Sequence, residues 1–247
     1  MGEREESPET LPKYTIRAFK ATDDYEACME FYKGHTQVLA DYGIKNLNTA
    51  QPEWITNDNV YVVIATDESG EVVGGLRVHK YAGDQNIPLI DALKDIEPRI
   101  IDLFEASLPL STAEVCGLWN SRKVFGKGIS PLLCFCSVVV VKKIGLKDFY
   151  CFSAPYTEKM IRTNGLINIE SIGDKGRFNY PTEQYISIVL YNPDVDKLEY
   201  AHEYNKSRIL SLYENPNQTF IEQGGRTKIE VTYSLSLVNK SVEESAL

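Results

Sequence analysis

The stretch Ser121-Arg122-Lys123-Val124-Phe125-Gly126-Lys127-Gly128-Ile129-Ser130-Pro131-Leu132-Leu133 joins an apolar, strand-like run to a long apolar, helix-like run through a small glycine-rich turn. Glycine lacks the Cβ that blocks close approach, so successive backbone N–H groups and the positive end of the following helix can converge on one anion. The turn therefore predicts a phosphate-cradling loop. Two common versions are excluded. A P-loop needs Gly-x-x-x-x-Gly-Lys-Ser/Thr, but Ser121 stands where its first glycine belongs and Gly128 follows Lys127. A dinucleotide fingerprint needs Gly-x-Gly-x-x-Gly, and Pro131 occupies its last position.

Working outward, Glu114-Val115-Cys116-Gly117-Leu118-Trp119-Asn120 reads as the strand entering the loop, and residues 129–141 as a buried helix that Gly145 terminates. Upstream, Asp23-Asp24-Tyr25-Glu26 resembles an Asp-led cap. Tyr25, Cys28, Tyr32, His35, Leu39 and Tyr42 then recur at helical spacing up to Gly43. Residues 60–65 and 71–78 flank Asp67-Glu68-Ser69-Gly70, a hairpin with turn chemistry. Pro88 opens a second helical stretch with Leu89, Leu93 and Ile96 on one face, interrupted at Pro98 and resumed over 100–108. Downstream the pattern predicts strand 148–153, helix 155–164 stopped by Gly165, strand 167–172 and strand 185–191. The tail reads as a helix over 197–213, then, after Gly224-Gly225, an alternating strand with Ile229, Val231, Tyr233, Leu235 and Leu237 on one face. That face must be buried, by extending the main sheet or at a homodimer contact.

The order strand, Gly126-Lys127-Gly128-Ile129, helix resembles the pyrophosphate loop of the GNAT superfamily, the acyl-CoA-dependent N-acyltransferases, commonly written Arg-Gly-Lys-Gly-Ile-Gly. The central residues match, while Phe125 stands where Arg or Gln is usual and Ser130 where Gly or Ala is usual. A second register, Lys123-x-x-Gly126-x-Gly128, keeps the cation but starts the helix two residues earlier. The first is preferred because it leaves Leu132 and Leu133 in the helix. The element order over residues 14–192 is also the GNAT order. The resemblance implies an α/β fold with an α+β mixed sheet, preceded by a flexible N-terminus over 1–13. A helix-strand extension over 193–247 would pack on the same domain or at a dimer contact.

The resemblance further implies direct transfer of an acyl group, acetyl or longer, from acyl-CoA or acyl carrier protein to an amine. The strand residues Leu118, Trp119 and Asn120 would offer backbone groups to the pantetheine arm, the loop Phe125, Gly126, Lys127, Gly128, Ile129 and Ser130 would hold the pyrophosphate through its N–H groups, and the Trp119 ring would line the acyl or acceptor pocket. Trp119 would otherwise be core. A protonated amine cannot attack a thioester, so a base is needed. Glu114 is the candidate, since apolar neighbours raise a carboxyl pKa; the plainer reading is a solvated strand-start residue. The family's usual Tyr and Asn correspond to Ile161 and Ala154 here, which leaves Tyr156 as the candidate acid. Residues 72–78, Ile87-Pro88-Leu89 and Glu114 are also similar to the acyl-homoserine-lactone and N-acyl amino acid synthases. In that branch Arg77 would bind the acceptor carboxylate or the carrier's phosphopantetheine. The plainer reading makes Arg77 an exposed strand residue in an ion pair. Acceptor pockets would be shaped by segments 46–57 and 84–111. A non-catalytic CoA-binding or interaction module on the same fold stays open.

Composition narrows the field. With 247 residues the chain can bury a real core, and a net charge of −9 argues against nucleic acid as the main partner. The apolar run 129–141 is too short to span a bilayer. Met1-Gly2-Glu3-Arg4-Glu5-Glu6-Ser7 has no signal-peptide core, and Glu6 does not fit a myristoylation motif, so a cytoplasmic protein is expected. Five cysteines make no disulfide framework, and with His35, His79 and His202 scattered, no metal site is expected. His35, on an apolar helix face, reads as a packed core residue rather than a base.

Overall fold

The computed structural model describes residues 10–43, 52–83, 87–108 and 111–237. Their elements run β1 Lys13–Lys20, α1 Tyr25–Asp41, β2 Val60–Asp67, β3 Val72–Lys80, α2 Pro88–Leu93, α3 Arg99–Ala106, β4 Ala113–Asn120, α4 Ile129–Lys143, β5 Phe149–Ser153 and α5 Pro155–Arg162. They continue β6 Ile167–Asn168, β7 Arg177–Asn179, β8 Ile186–Asn192, α6 Glu203–Glu214, β9 Asn217–Gln223 and β10 Lys228–Ser234. All the strands join one mixed sheet in the order β6-β8-β5-β4-β3-β2-β1-β10-β9, with β7 also paired to β8.

Local chemistry accounts for the boundaries. The Asp24 carboxylate accepts a bond from Ala27 N at 3.0 Å, closing the N-terminus of α1, and Gly43 follows its end at φ 75°. In the β2–β3 turn the Asp67 side chain accepts from Ser69 N and Glu71 N, an arrangement that short acidic side chains favour. Helix α4 is buried along most of its length from Leu132 to Val141, because it lies between the sheet and α6, whose Ile209 and Leu212 share its core. On the opposite face, α1 covers an aromatic cluster of Phe31, Trp54 and Trp119, and α2 and α3 cover Tyr81, Tyr150 and Val189.

Several elements differ from the sequence pattern. Strands β7 and β9 carry too many polar residues to announce themselves, whereas β1, with Tyr14, Ile16 and Ala18 alternating with Thr15 and Arg17, adds a strand to the expected set. The strand expected over 167–172 keeps only Ile167–Asn168. The tail helix begins at Glu203 rather than 197, after Leu198 adopts φ 49°. Ile96 is 59% exposed beyond the end of α2 rather than on its buried face. In the tail, β10 pairs parallel with β1, from Lys13↔Glu230 to Arg17↔Ser234, and thereby extends the main sheet. Residues 1–9 and 44–51, on which parts of the terminal and acceptor-segment expectations fall, lie outside the described residues.

Candidate active site

The parallel strands β4 and β5 pair only at Glu114↔Tyr150 and Val115↔Cys151. The cause lies on the other edge of β4. Two steps along β3, from Gly75 to Arg77, match three along β4, from Trp119 to Cys116. The extra residue is a bulge around Gly117, which sits at φ 63°, and a Cβ there would meet Arg77 Nε at 3.1 Å. A bulge bends its strand, and here β4 parts from β5 beyond Val115. Among the described residues, no strand pairs with the later backbone groups of β4 on that edge.

A cavity of about 260 Å³ occupies the gap and draws its walls from both faces of the sheet. From the α1 and α2 side come His35, Leu39, Pro88 and Ala92, with Arg77 and Glu114. From the α4 and α5 side come Cys134, Ser137 and Ile161, with Leu76, Phe149 and Cys151 of the sheet. The opening therefore passes between the strands. Its charged side chains, Arg77 and Glu114, lie on the first side, and the second is mainly apolar.

Glu114 is 2% exposed, which corrects the solvated strand-start reading. Its Oε2 accepts a bond from Leu89 N at 2.7 Å, at the start of α2. Burial raises its pKa to about 7, opposed by that bond and by Arg77. Arg77 is also 2% exposed, not a surface strand residue; its guanidinium lies 4.7 Å from the Trp54 ring centre and 5.8 Å from that of Phe31. Burial and Arg77 together push His35 down to about 3, so its ring is neutral across the physiological range. Burial lifts the Cys116 and Cys134 thiols to about 12, which leaves them protonated. Arg77 and an acid titrating near neutrality are thus the chief ionisable groups of this wall.

The remaining predicted residues divide. Leu118 lines the cavity. The Trp119 indole turns the other way, edge-on to Phe31 at 5.9 Å and pressed on Gly34, where a Cβ would sit 2.0 Å from it. Only the backbone of Trp119 remains available to a ligand at the gap. Asn120 accepts a hydrogen bond from the Ser130 hydroxyl, tying the end of β4 to the first turn of α4. Gly126 and Gly128 adopt φ 76° and 77°, and α4 starts at Ile129, in agreement with the first register. Within the loop, Lys127 N donates to Val124 O at 3.0 Å, so that N–H is engaged in a turn. The N–H groups of Ile129 and Ser130, in a helical first turn, have no carbonyl within the helix to bond. Phe125 is 78% exposed at the loop tip.

Tyr156 stands at the cavity mouth, 82% exposed, and Ala154 and Ile161 line the wall behind it. Sequence reasoning passed over Ser153, whose buried hydroxyl lines the same cavity without a hydrogen-bond partner among the described residues. It also passed over Asn164, which holds the α5 end through Asn205 and Asn192. A serine closing a strand and an asparagine closing a helix carry no distinguishing signal. Among the described residues no group of three His, Cys, Asp or Glu side chains is placed to hold a metal, and no helix is long and apolar enough to cross a membrane.

A parallel strand pair splayed by a bulge, followed by a glycine loop and helix, defines the class: this is the fold of the GNAT acyl-CoA N-acyltransferases. No protein-family model matches the sequence, and no curated protein matches it. Solved structures do. FeeM, an N-acyl amino acid synthase from uncultured soil microbes, superposes with a TM-score of 0.54 at 11% identity, covering 79% of this chain and 98% of FeeM. BjaI, a CoA-dependent acyl-homoserine lactone synthase solved with SAM and isopentyl-CoA, does so at 0.51 and 13%, covering 87% of this chain and 95% of BjaI.

Proposed function

We propose that the chain is an acyltransferase that moves an acyl group from acyl-CoA, or from acyl carrier protein, to an amine, with the thioester held in the β4–β5 gap. The observation that carries this reading is the cavity itself: it opens where β4 leaves its partner, and Glu114 lines it with a pKa raised to about 7. Such an acid is partly ionised at neutrality, as a general base needs to be. Glu114 takes the proton of the acceptor ammonium, and the freed nitrogen pair attacks the thioester carbonyl. The carbon–sulfur bond then breaks as the nitrogen gives up its second proton to water and the amide forms. The thiolate leaves toward the mouth, where Tyr156 or water returns a proton. Backbone groups of β4 around Leu118 orient the pantetheine, and the first turn of α4 faces the pyrophosphate.

Two further features support finer readings. Arg77 is a buried cation on the wall it shares with Glu114, which favours an acceptor bearing a carboxylate, such as an amino acid. Ile161, Cys134, Phe149 and Leu76 give the far side an apolar lining suited to an acyl chain longer than acetyl. Together the two features favour a long-chain N-acyl amino acid synthase reading, and FeeM, an N-acyl amino acid synthase, shares the fold. A donor drawn from cellular acyl-CoA favours a cytoplasmic site of action.

The test is thiol release from acetyl-CoA, long-chain acyl-CoA and acyl carrier protein, each with amines that carry or lack a carboxylate. Release is expected with a long-chain donor and an amino acid acceptor. Donor binding without release from any pair would overturn the enzyme reading in favour of a binding module.

A further inference from the structure

The C-terminal hairpin turn between β9 and β10 packs directly on the glycine loop. Arg226 N donates to Gly126 O at 3.0 Å. The contact is backbone on backbone: a Cβ at Gly224 would lie 2.4 Å from Lys127 O, one at Gly225 would lie 3.0 Å from Gly126 O, and one at Gly128 would lie 2.9 Å from Gly224 Cα. Two glycine turns therefore meet at a distance that no side chain allows. The Gly126 and Lys127 carbonyls face the hairpin.

The same contact brings a cation to the loop. The Arg226 stem runs along Gly126, with Cδ 3.7 Å from where a Cβ would stand, and the residue is exposed. Nearby charges are already engaged: Arg122 meets Asp41 at 3.5 Å and Lys123 meets Glu71 at 2.6 Å. Among the described residues, Arg226 and Lys127 form no ion pair. Phe125 occupies the loop position where the resembling family carries a cation or Gln.

We propose that the Gly224-Gly225-Arg226 turn is part of the donor site: its backbone holds the glycine loop in place, and the Arg226 guanidinium binds a phosphate group of the donor. The proposal rests on the acyl-CoA reading above and adds to it a residue from the C-terminal extension. A charge on a long stem can reach an anion at the loop while its methylenes stay packed. It supplies from outside the loop what Phe125 does not.

The experiment compares wild type, Arg226→Gln and Arg226→Lys for binding of acyl-CoA and of the matching acyl-pantetheine, which lacks phosphates. Calorimetry at two salt concentrations gives the affinities. Arg226→Gln is expected to weaken acyl-CoA by about ten-fold and flatten its salt dependence, while Arg226→Lys keeps most of the affinity. All three proteins should bind acyl-pantetheine equally. Unchanged acyl-CoA binding in Arg226→Gln, or equal weakening of both ligands, would overturn the proposal. A wild type that binds neither ligand would instead overturn the donor reading, and this inference with it.

Discussion

Two carboxylates, Glu114 on β4 and Glu222 on β9, are almost wholly withdrawn from water, at 2% and 0% exposure, yet their surroundings differ. Glu222 faces the Arg208 guanidinium, with Nε 3.0 Å from Oε1, and accepts hydroxyl bonds from Tyr233 and Tyr204. Arg208 in turn lies 3.5 Å from the Phe220 ring centre. This network pins the edge hairpin to α6. Among the described residues Glu114 accepts one hydrogen bond, from Leu89 N, and it stands on a cavity wall. A buried acid whose charge is matched on all sides holds structure. One left short of partners at an opening is set to exchange a proton.

Substitution should separate the two sites. Glu114→Gln keeps an acceptor for Leu89 N and removes the proposed base, so transfer should fall by about 10²–10⁴-fold while donor binding persists. In wild type the rate should rise with pH and level off above about 7; in the variant that rise should vanish. Steady-state rates across pH check both. If Glu114→Gln retains the full rate and profile, the contrast between the acids collapses.

Glu222→Gln should act on stability instead. Stripping the charge from a buried ion pair costs about 3–5 kcal/mol, measured as a lower urea midpoint, because Arg208 is left without its counter-charge. Glu114 is untouched in this variant, so the pH profile of the activity that remains should keep the wild-type shape.

A subtler effect reverses the usual expectation for a buried acid. The folded-state pKa of Glu114 is raised to about 7 from the ordinary 4.5, so between those pH values the native state holds a proton that the unfolded chain has lost. Stability from this group is therefore fully present below about 4.5 and is lost as pH rises through 7, by on the order of 3 kcal/mol. Glu114→Gln lacks that loss. It should be the more stable protein at pH 8, and urea unfolding at pH 5 and 8 reads the difference. The smallest expected effect is at the loop tip: Phe125→Arg should tighten acyl-CoA by about three-fold, as one exposed charge pair permits.

The glycine loop was legible because its requirement is local: residues at φ 76° and 77° must be glycine almost regardless of what surrounds them. Helix α4 and the β2–β3 hairpin were legible for the same kind of reason. Arg77 was not, because alternation shows which side chains point away from Leu76 and Val78 but not whether the second face is covered. Here α1 and the Trp54 segment cover it. Trp119 shows a different limit. Simple alternation groups it with Val115, but the bulge at Gly117 shifts the register so that Trp119 joins Arg77 and Glu114 on the α1 face. The same bulge opens the gap. The feature that makes the site is thus the one that periodicity hides. The hairpin's contact with the loop joins residues 126 and 226, a pairing that only the parallel docking of β10 on β1 reveals.

The most direct test of the central claim, that the β4–β5 gap and its glycine loop form an acyl-thioester donor site, is the melting temperature with and without long-chain acyl-CoA. At a hundred times the dissociation constant, a ligand of the folded state adds about 2.7 kcal/mol, a rise of roughly 5–11 °C for a chain of this size. The account predicts that rise for long-chain acyl-CoA and a smaller one for acetyl-CoA at equal concentration. An unchanged melting temperature with every acyl-CoA would contradict it.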